Sequence, residues 1–172
     1  IYTLSLHDAL PIFGRGWCME DVQGKFPSYF DAFKMPPGAQ PQRITVHRAC
    51  GTGTIDRWSF LSTFEEQGCE YQEGDDPEDP GLYSLSTYER PKDVRRFMTL
   101  TSKYDSPFKI AVGCTEPLCD PCQRTRERTG RKTSHVDWWL YEGASPEDYF
   151  EMIEDFDEYC NTHNKEKRDS LS

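Results

Sequence analysis

The sequence predicts an α+β fold, a single domain in which a small mixed sheet of about four strands is packed by about four helices. Three stretches carry that expectation. Residues 107–113 alternate, with Phe108, Ile110 and Val112 on one side of an extended chain. Residues 134–143 place Val136, Trp138 and Leu140 on one face and His135, Asp137, Trp139 and Tyr141 on the other. Apolar bulk on both faces predicts an interior strand. Residues 145–160 open with Ser145, Pro146 and Asp148 in the pattern of a capped helix, followed by an apolar stripe of Tyr149, Met152, Ile153, Phe156 and Tyr159.

The other elements follow in chain order. Residues 26–33 read as a short helix, with Pro27 at its start and Tyr29, Phe30 and Phe33 turned to the core. The Pro-rich residues 35–41 stop it. Residues 42–49 alternate as a strand in which Ile44, Val46 and Arg48 share one face, so its last inward-pointing residue is an arginine. Asp56 then caps a helix with Trp58, Leu61 and Phe64 on one stripe and Gly68 as its stop. Residues 70–81 form an acidic, solvated loop whose spacing does not fit a calcium loop. Residues 81–87 are a third strand, and 89–100 a helix with Val94, Phe97 and Met98 inward. The connection 114–132 has no core pattern and reads as a loop.

Composition narrows the function classes. A chain of 172 residues supports one core. Its 35% hydrophobic and 13% aromatic content predicts a core built mainly from Phe, Tyr and Trp. A net charge of -10 argues against general nucleic-acid binding, while leaving room for a local basic patch that grips a phosphate. No apolar run is long enough for a bilayer, so no membrane partner is expected. Seven cysteines, an odd number, point to reduced thiols in the cytoplasm. Residues 1–12 resemble translated sequencing-adapter read-through, so 1–13 are read as a non-native leader, 14–160 as the domain and 161–172 as a polar tail.

Three constellations could carry chemistry. Cys114, Cys119 and Cys122 include a Cys-x-x-Cys pair with the bite of a tetrahedral zinc site, which His135 downstream would complete. Packed thiols or a disulfide are the alternatives, and Cys18, Cys50, Cys69 and Cys160 read as small hydrophobes. His135 and Asp137 share a strand face with Trp139 and Tyr141, a wall that could stack a planar ligand and exchange a proton. The other reading of that face is a second core surface with a satisfied histidine. Arg124, Arg126, Arg128, Arg131 and Lys132 concentrate positive charge beside the strand. They could hold phosphate or a carboxylate-rich partner, or complement the protein's own acidic loop.

Two pieces resemble ADP-ribosyltransferase-like domains: the strand that ends in Arg48, and Ser86-Thr87 leading into the helix with Val94 and Phe97. The resemblance implies NAD as cofactor, held by Arg48, Ser86 and Thr87. No Gln/Glu-x-Glu follows, so the catalytic carboxylate it implies would have to be Glu142 or Asp137. Independently, residues 135–142 resemble segments of uncharacterised bacterial and phage proteins, which implies no activity. The expectation is a binding domain for a nucleotide-like small molecule or a protein partner, acting through the aromatic strand and the arginine loop. An NAD-using ADP-ribosyltransferase-like enzyme and a zinc-stabilised interaction module are the alternatives.

Overall fold

The computed structural model describes residues 24–101, 109–115 and 120–169. The leader, Cys18, Phe108 and Cys119 lie outside the described residues. β1 (Thr45–Cys50) is interior, and every residue after Thr45 is buried, His47 and Arg48 included. β3 (Lys109–Cys114) pairs along its whole length, Thr45 opposite Cys114 and Cys50 opposite Lys109. On the other side β2 (Leu85–Tyr88) meets β1 at the single pair His47–Tyr88. β5 (His135–Trp138) pairs with β2 and with β4 (Cys122–Arg124), and β6 (Phe150–Met152) lies outside β3. The order is β4-β5-β2-β1-β3-β6, and every pair is antiparallel.

The α+β class therefore stands, but the mixed sheet of about four strands becomes an antiparallel sheet of six. The two additional strands are three residues each, too short for alternation to register. β4 lies inside the connection expected to be loop, and the helix α3 (Thr125–Thr129) follows it directly. The lead-in to β1 reaches across to this outer strand, with Gln40 and Cys122 exchanging backbone bonds of 3.3 and 3.0 Å. Thr115, just after β3, bonds to Ile44 on the same lead-in. The sheet consequently curls around one face, which buries Ile44, Val46, Leu85, Ala111, Val136 and Trp138 against Phe60 and Phe150.

The opposite face is covered by α2 (Pro91–Thr101) and α4 (Phe156–Asp169), whose Val94, Met98, Phe156 and Tyr159 pack with Ala49, Ile110 and Ile153. Aromatic residues do not dominate all of the core. They gather in a third cluster, where Phe30, Phe64 and Tyr83 surround the fully buried Trp139. No helix among the described residues is long and apolar enough to cross a membrane.

Two expected helices are broken by stronger local signals. The helix expected from Asp56 to Gly68 divides. Asp56 caps only a 3-10 turn, Arg57–Phe60, and Leu61 is extended. Ser62 and Glu65 then close a reciprocal capping box that starts α1 (Thr63–Glu66). The helix expected from Ser145 does not start there, because Ser145 makes no capping bond. Pro146–Tyr149 form a 3-10 turn, and the chain then extends into β6 so that Phe150 can stack edge-on against Phe60 at 4.8 Å. Gly113, opposite Phe150, permits the approach, since a Cβ there would lie 2.6 Å from the Tyr149 carbonyl oxygen. The true cap of α4 is Asp155, whose Oδ1 accepts from the Glu158 amide at 2.8 Å, and the helix runs to Asp169.

α4 is tied to the sheet by His47, which has no exposed surface. Its Nδ1 lies 3.0 Å from the Tyr88 carbonyl, which can only accept, so Nδ1 carries the proton. Nε2 then accepts from the Tyr159 hydroxyl at 2.9 Å. Burial is the main cause that lowers the His47 pKa to about 4; the Tyr88 bond acts against the shift and His163 adds to it. A histidine with a depressed folded pKa stabilises above its unfolded pKa of 6.5 and loses that contribution as pH falls towards 4. At about pH 4.5 the loss is about 2–3 kcal/mol. Asp120, pushed up to about 6 by burial, acts in the opposite sense over part of this range. The His47 contribution is therefore read as a difference: the stability gap between wild type and His47→Gln in urea unfolding narrows by that amount between about pH 7 and pH 4.5. A gap that stays constant would mean that His47 does not titrate as a buried neutral group.

Candidate functional site

β5 carries His135 and Asp137 on one face, beneath α3. Asp137 is 1% exposed, and its carboxylate accepts four bonds. Ser84 Oγ donates to Oδ1 at 3.1 Å. Thr125 Oγ1 at 2.9 Å and Arg128 Nε and Nη2 at 3.2 and 3.1 Å donate to Oδ2. The single Thr125 hydroxyl hydrogen is spent on Asp137, so the 2.6 Å contact between Thr125 and His135 Nδ1 requires the ring to donate. Burial is the main cause of a lowered His135 pKa; Asp137 opposes it, and Arg48 and Arg128 add to it. Arg128 also donates to Asp79 at 3.2 Å, which fastens the acidic stretch to α3. Ser84, Thr125, Arg128, His135 and Asp137 thus form one network with its polar atoms turned on one another.

Arg48 projects from the other face, in step with Val46 and Cys50. Its Nε donates to Ser59 O at 2.8 Å, Nη1 to Ser86 O at 2.8 Å, and Nη2 to Leu61 O at 3.1 Å and Glu66 Oε1 at 3.0 Å. Thr87 is buried on the same face and donates to Val136 O at 3.2 Å. Ser86 pairs with Asp137 and shares its face instead. Glu142 lies beyond the end of β5, exposed and 3.6 Å from Lys25 Nζ. The residues that the NAD resemblance implies are thus divided between two faces and one rim.

The proposed zinc ligands are separated in the same way. Cys122 pairs with Trp138 and is buried with it on the curled face, whereas His135 shares the face of Asp137. A zinc ion needs its ligands within about 2.3 Å of one centre, and opposite faces of a sheet do not supply that. Cys114 ends β3, opposite Thr45. Among the described residues, no three His, Cys, Asp or Glu are grouped so as to hold a metal ion.

Of the aromatic face, Trp139 is fully buried and spends its indole N–H on Pro80 O at 2.9 Å. Tyr141 is different, because it lines an open cleft of about 230 Å³ together with Tyr29, Phe30, Tyr83, Arg57 and Glu65. Its ring is fixed by Phe26 at 4.6 Å and by Gly24, where a Cβ would lie 2.3 Å from a ring carbon. Glu65 is held by the amide and hydroxyl of Ser62 at 2.8 and 3.0 Å, and Arg57 Nη2 lies 3.5 Å away. Burial, reinforced by a hydrogen bond to Glu65, raises the Tyr29 pKa, so its phenol is neutral. The Ser62-x-x-Glu65 signature was present in the sequence and would have placed Glu65, but nothing local joins it to Tyr29 or Tyr141.

The arginine loop sits at the other end of β5. Arg124 donates to Glu89 at 2.8 Å and to Gln42 at 3.3 Å, and Arg126 is half-exposed, 3.7 Å from Glu89. The loop precedes the first residue of β5 and Tyr141 follows the last, so on the order of 15 Å or more of chain separates them. The aromatic strand and the arginine loop do not converge on one ligand site. Removing Asp137 tests whether its network is structural: Asp137→Ala takes the acceptor from the Ser84 and Thr125 hydroxyls and leaves Arg128 with Asp79 alone, with an expected loss of about 2–3 kcal/mol in urea unfolding. A loss under about 1 kcal/mol would contradict that role. No family model matches this chain, and neither a curated protein nor a solved structure matches it.

Proposed function

We propose that this chain is a non-catalytic binding domain whose aromatic cleft takes a small planar ligand of about nucleobase size. The observation that carries the reading is the cleft itself: about 230 Å³, with Tyr29, Phe30, Tyr83 and Tyr141 beside Arg57 and Glu65. Aromatic walls with a few oriented polar groups are the usual composition of a small-molecule site. Stacking on tyrosine supplies affinity for a flat ring, and the Arg57–Glu65 pair offers a donor and an acceptor for its edge. The volume suits one heterocycle, not a dinucleotide.

The buried polar residues support binding over catalysis. Asp137, Arg48 and His47 each spend their polar atoms on protein partners. An NAD-using enzyme would need Arg48 and a carboxylate to reach one ligand, and Asp137 faces away from Arg48.

The test is a titration of adenine, adenosine and cytidine, followed by ligand-observed NMR. We expect saturable binding of at least one, weakened about tenfold or more in Tyr141→Ala, with Arg57→Ala altering which base is preferred. Failure of all three to saturate by about 10 mM, with wild-type protein folded, would sink the ligand class. Turnover of NAD that disappears in Glu142→Ala would sink the non-catalytic reading.

A further inference from the structure

At the opposite end of β5 a second concavity, of about 390 Å³, opens between the start of α2 and the chain around α3. It is lined by Glu89, Arg90, Arg126, Lys132, Thr133 and Ser134. The surrounding charge is unlike that of the chain as a whole. Residues 58–89 contain nine acids and no Lys or Arg, and the net charge is -10, yet nine of the 20 Lys and Arg fall within 90–96 and 124–132. The concavity lies where those two basic stretches meet.

Its cations come from three places in the chain: the residue before α2, α3 itself, and the loop that leads into β5. Two carboxylates anchor them. Asp93 holds Arg90 at 2.7 Å and accepts from the buried Ser134 hydroxyl. Glu89 holds Arg124 at 2.8 Å and lies 3.7 Å from Arg126. Lys132 is exposed and makes no ion pair among the described residues. The lining itself carries three cations, Arg90, Arg126 and Lys132, against one carboxylate, Glu89, an excess of two positive charges; behind it Asp93 pairs with Arg90, and Glu127 lies 3.8 Å from Arg124. Thr133 Oγ1 already accepts from the His135 amide at 3.0 Å, which leaves its hydroxyl hydrogen to donate.

We propose that this concavity binds phosphate, specifically the dianionic head of a small phosphate monoester. Two half-exposed guanidiniums, an unpaired ammonium and a hydroxyl match the charge and acceptor count of that group, and neighbouring carboxylates preset the guanidiniums. The site is independent of the aromatic cleft and stands whether or not the cleft takes a heterocycle.

The experiment is a titration of the ¹⁵N-labelled chain at low ionic strength with inorganic phosphate, with sodium chloride at matched ionic strength as control. We expect saturable shifts at the amides of Arg126, Lys132, Thr133 and Ser134, with a Kd on the order of millimolar, and none from chloride. The double variant Arg126→Ala with Lys132→Ala, which removes two exposed side chains, weakens binding tenfold or more while its remaining spectrum stays native. Arg95→Ala with Arg96→Ala removes equal charge from exposed positions of α2 outside the concavity and leaves binding within twofold. Ribose 5-phosphate binds at least as tightly as inorganic phosphate. Linear shifts that chloride reproduces, or equal loss in both double variants, would reduce the site to a counterion cloud. Tenfold weaker binding of ribose 5-phosphate would overturn the monoester assignment, and binding of a single-stranded oligonucleotide without inorganic phosphate would replace it with a backbone track.

Discussion

The guanidinium of Arg48 is the interaction on which the curled face depends. It sits in an interior strand at 7% exposure, where an unpaired charge would cost several kcal/mol. Glu66 answers the charge, and the remaining donors meet three backbone carbonyls, those of Ser59, Leu61 and Ser86. Ser59 O and Leu61 O belong to the place where the helix of residues 56–68 breaks. Ser86 O belongs to β2 where it has already diverged from β1 beyond the His47–Tyr88 pair. Buried carbonyls must be paired, and one side chain closes all three gaps. By doing so it sets the 3-10 turn against the sheet, and that turn carries Arg57 and leads straight into Ser62 and Glu65. The wall of the aromatic cleft is therefore positioned from beneath by a residue that does not line it.

Sequence periodicity gave access to the elements whose burial is regular. β1, β3, β5 and α2 were legible because each keeps one alternation or one stripe over enough residues, as Val94 and Met98 show at a helical spacing. The inward parity of Arg48 was legible for the same reason, although what it meets was not, since Ser59, Leu61 and Ser86 arrive from other segments. β6 was hidden by a stronger local signal. Ser145-Pro146 favours a helix start, and the decision against it is tertiary: Phe150 gains Phe60, and Gly113 clears the space. Tyr141 could be read as a site residue, whereas Tyr29 could not be told from a core aromatic. Its partner Glu65 is distant in sequence and close only after the break at Leu61.

The His135–Thr125–Asp137 chain illustrates why proton-relay geometry alone does not make a catalytic site. Its distances, 2.6 and 2.9 Å, suit proton movement, and the tautomer is fixed by counting hydrogens. Yet Asp137 is closed off by Ser84 and doubly bonded by Arg128, so its acceptor capacity is filled by the protein. Arg128 in turn reaches Asp79, which turns the same bonds into a clasp between α3 and the acidic stretch. A carboxylate saturated on every side serves the fold.

The strongest misreading came from extending β5 through Tyr141. Strict alternation would keep His135, Asp137, Trp139 and Tyr141 on one face as a single wall. The ladder to β4 instead ends at the pair Cys122–Trp138: the Trp139 amide still donates to Pro121 O at 2.9 Å, but Pro121 has no N–H to return the bond. Beyond that point the Tyr141 amide is taken by the carboxylate of Asp120 in place of a strand carbonyl. Trp139 sinks into the aromatic cluster with Phe30, Phe64 and Tyr83, and Tyr141 reaches the cleft. Pairing with both neighbours stops at Trp138, so what reads as a uniform strand face divides into three environments: basic before the strand, sealed along it, and aromatic after it. That division is why the aromatic cleft and the basic concavity at the two ends of β5 lie apart.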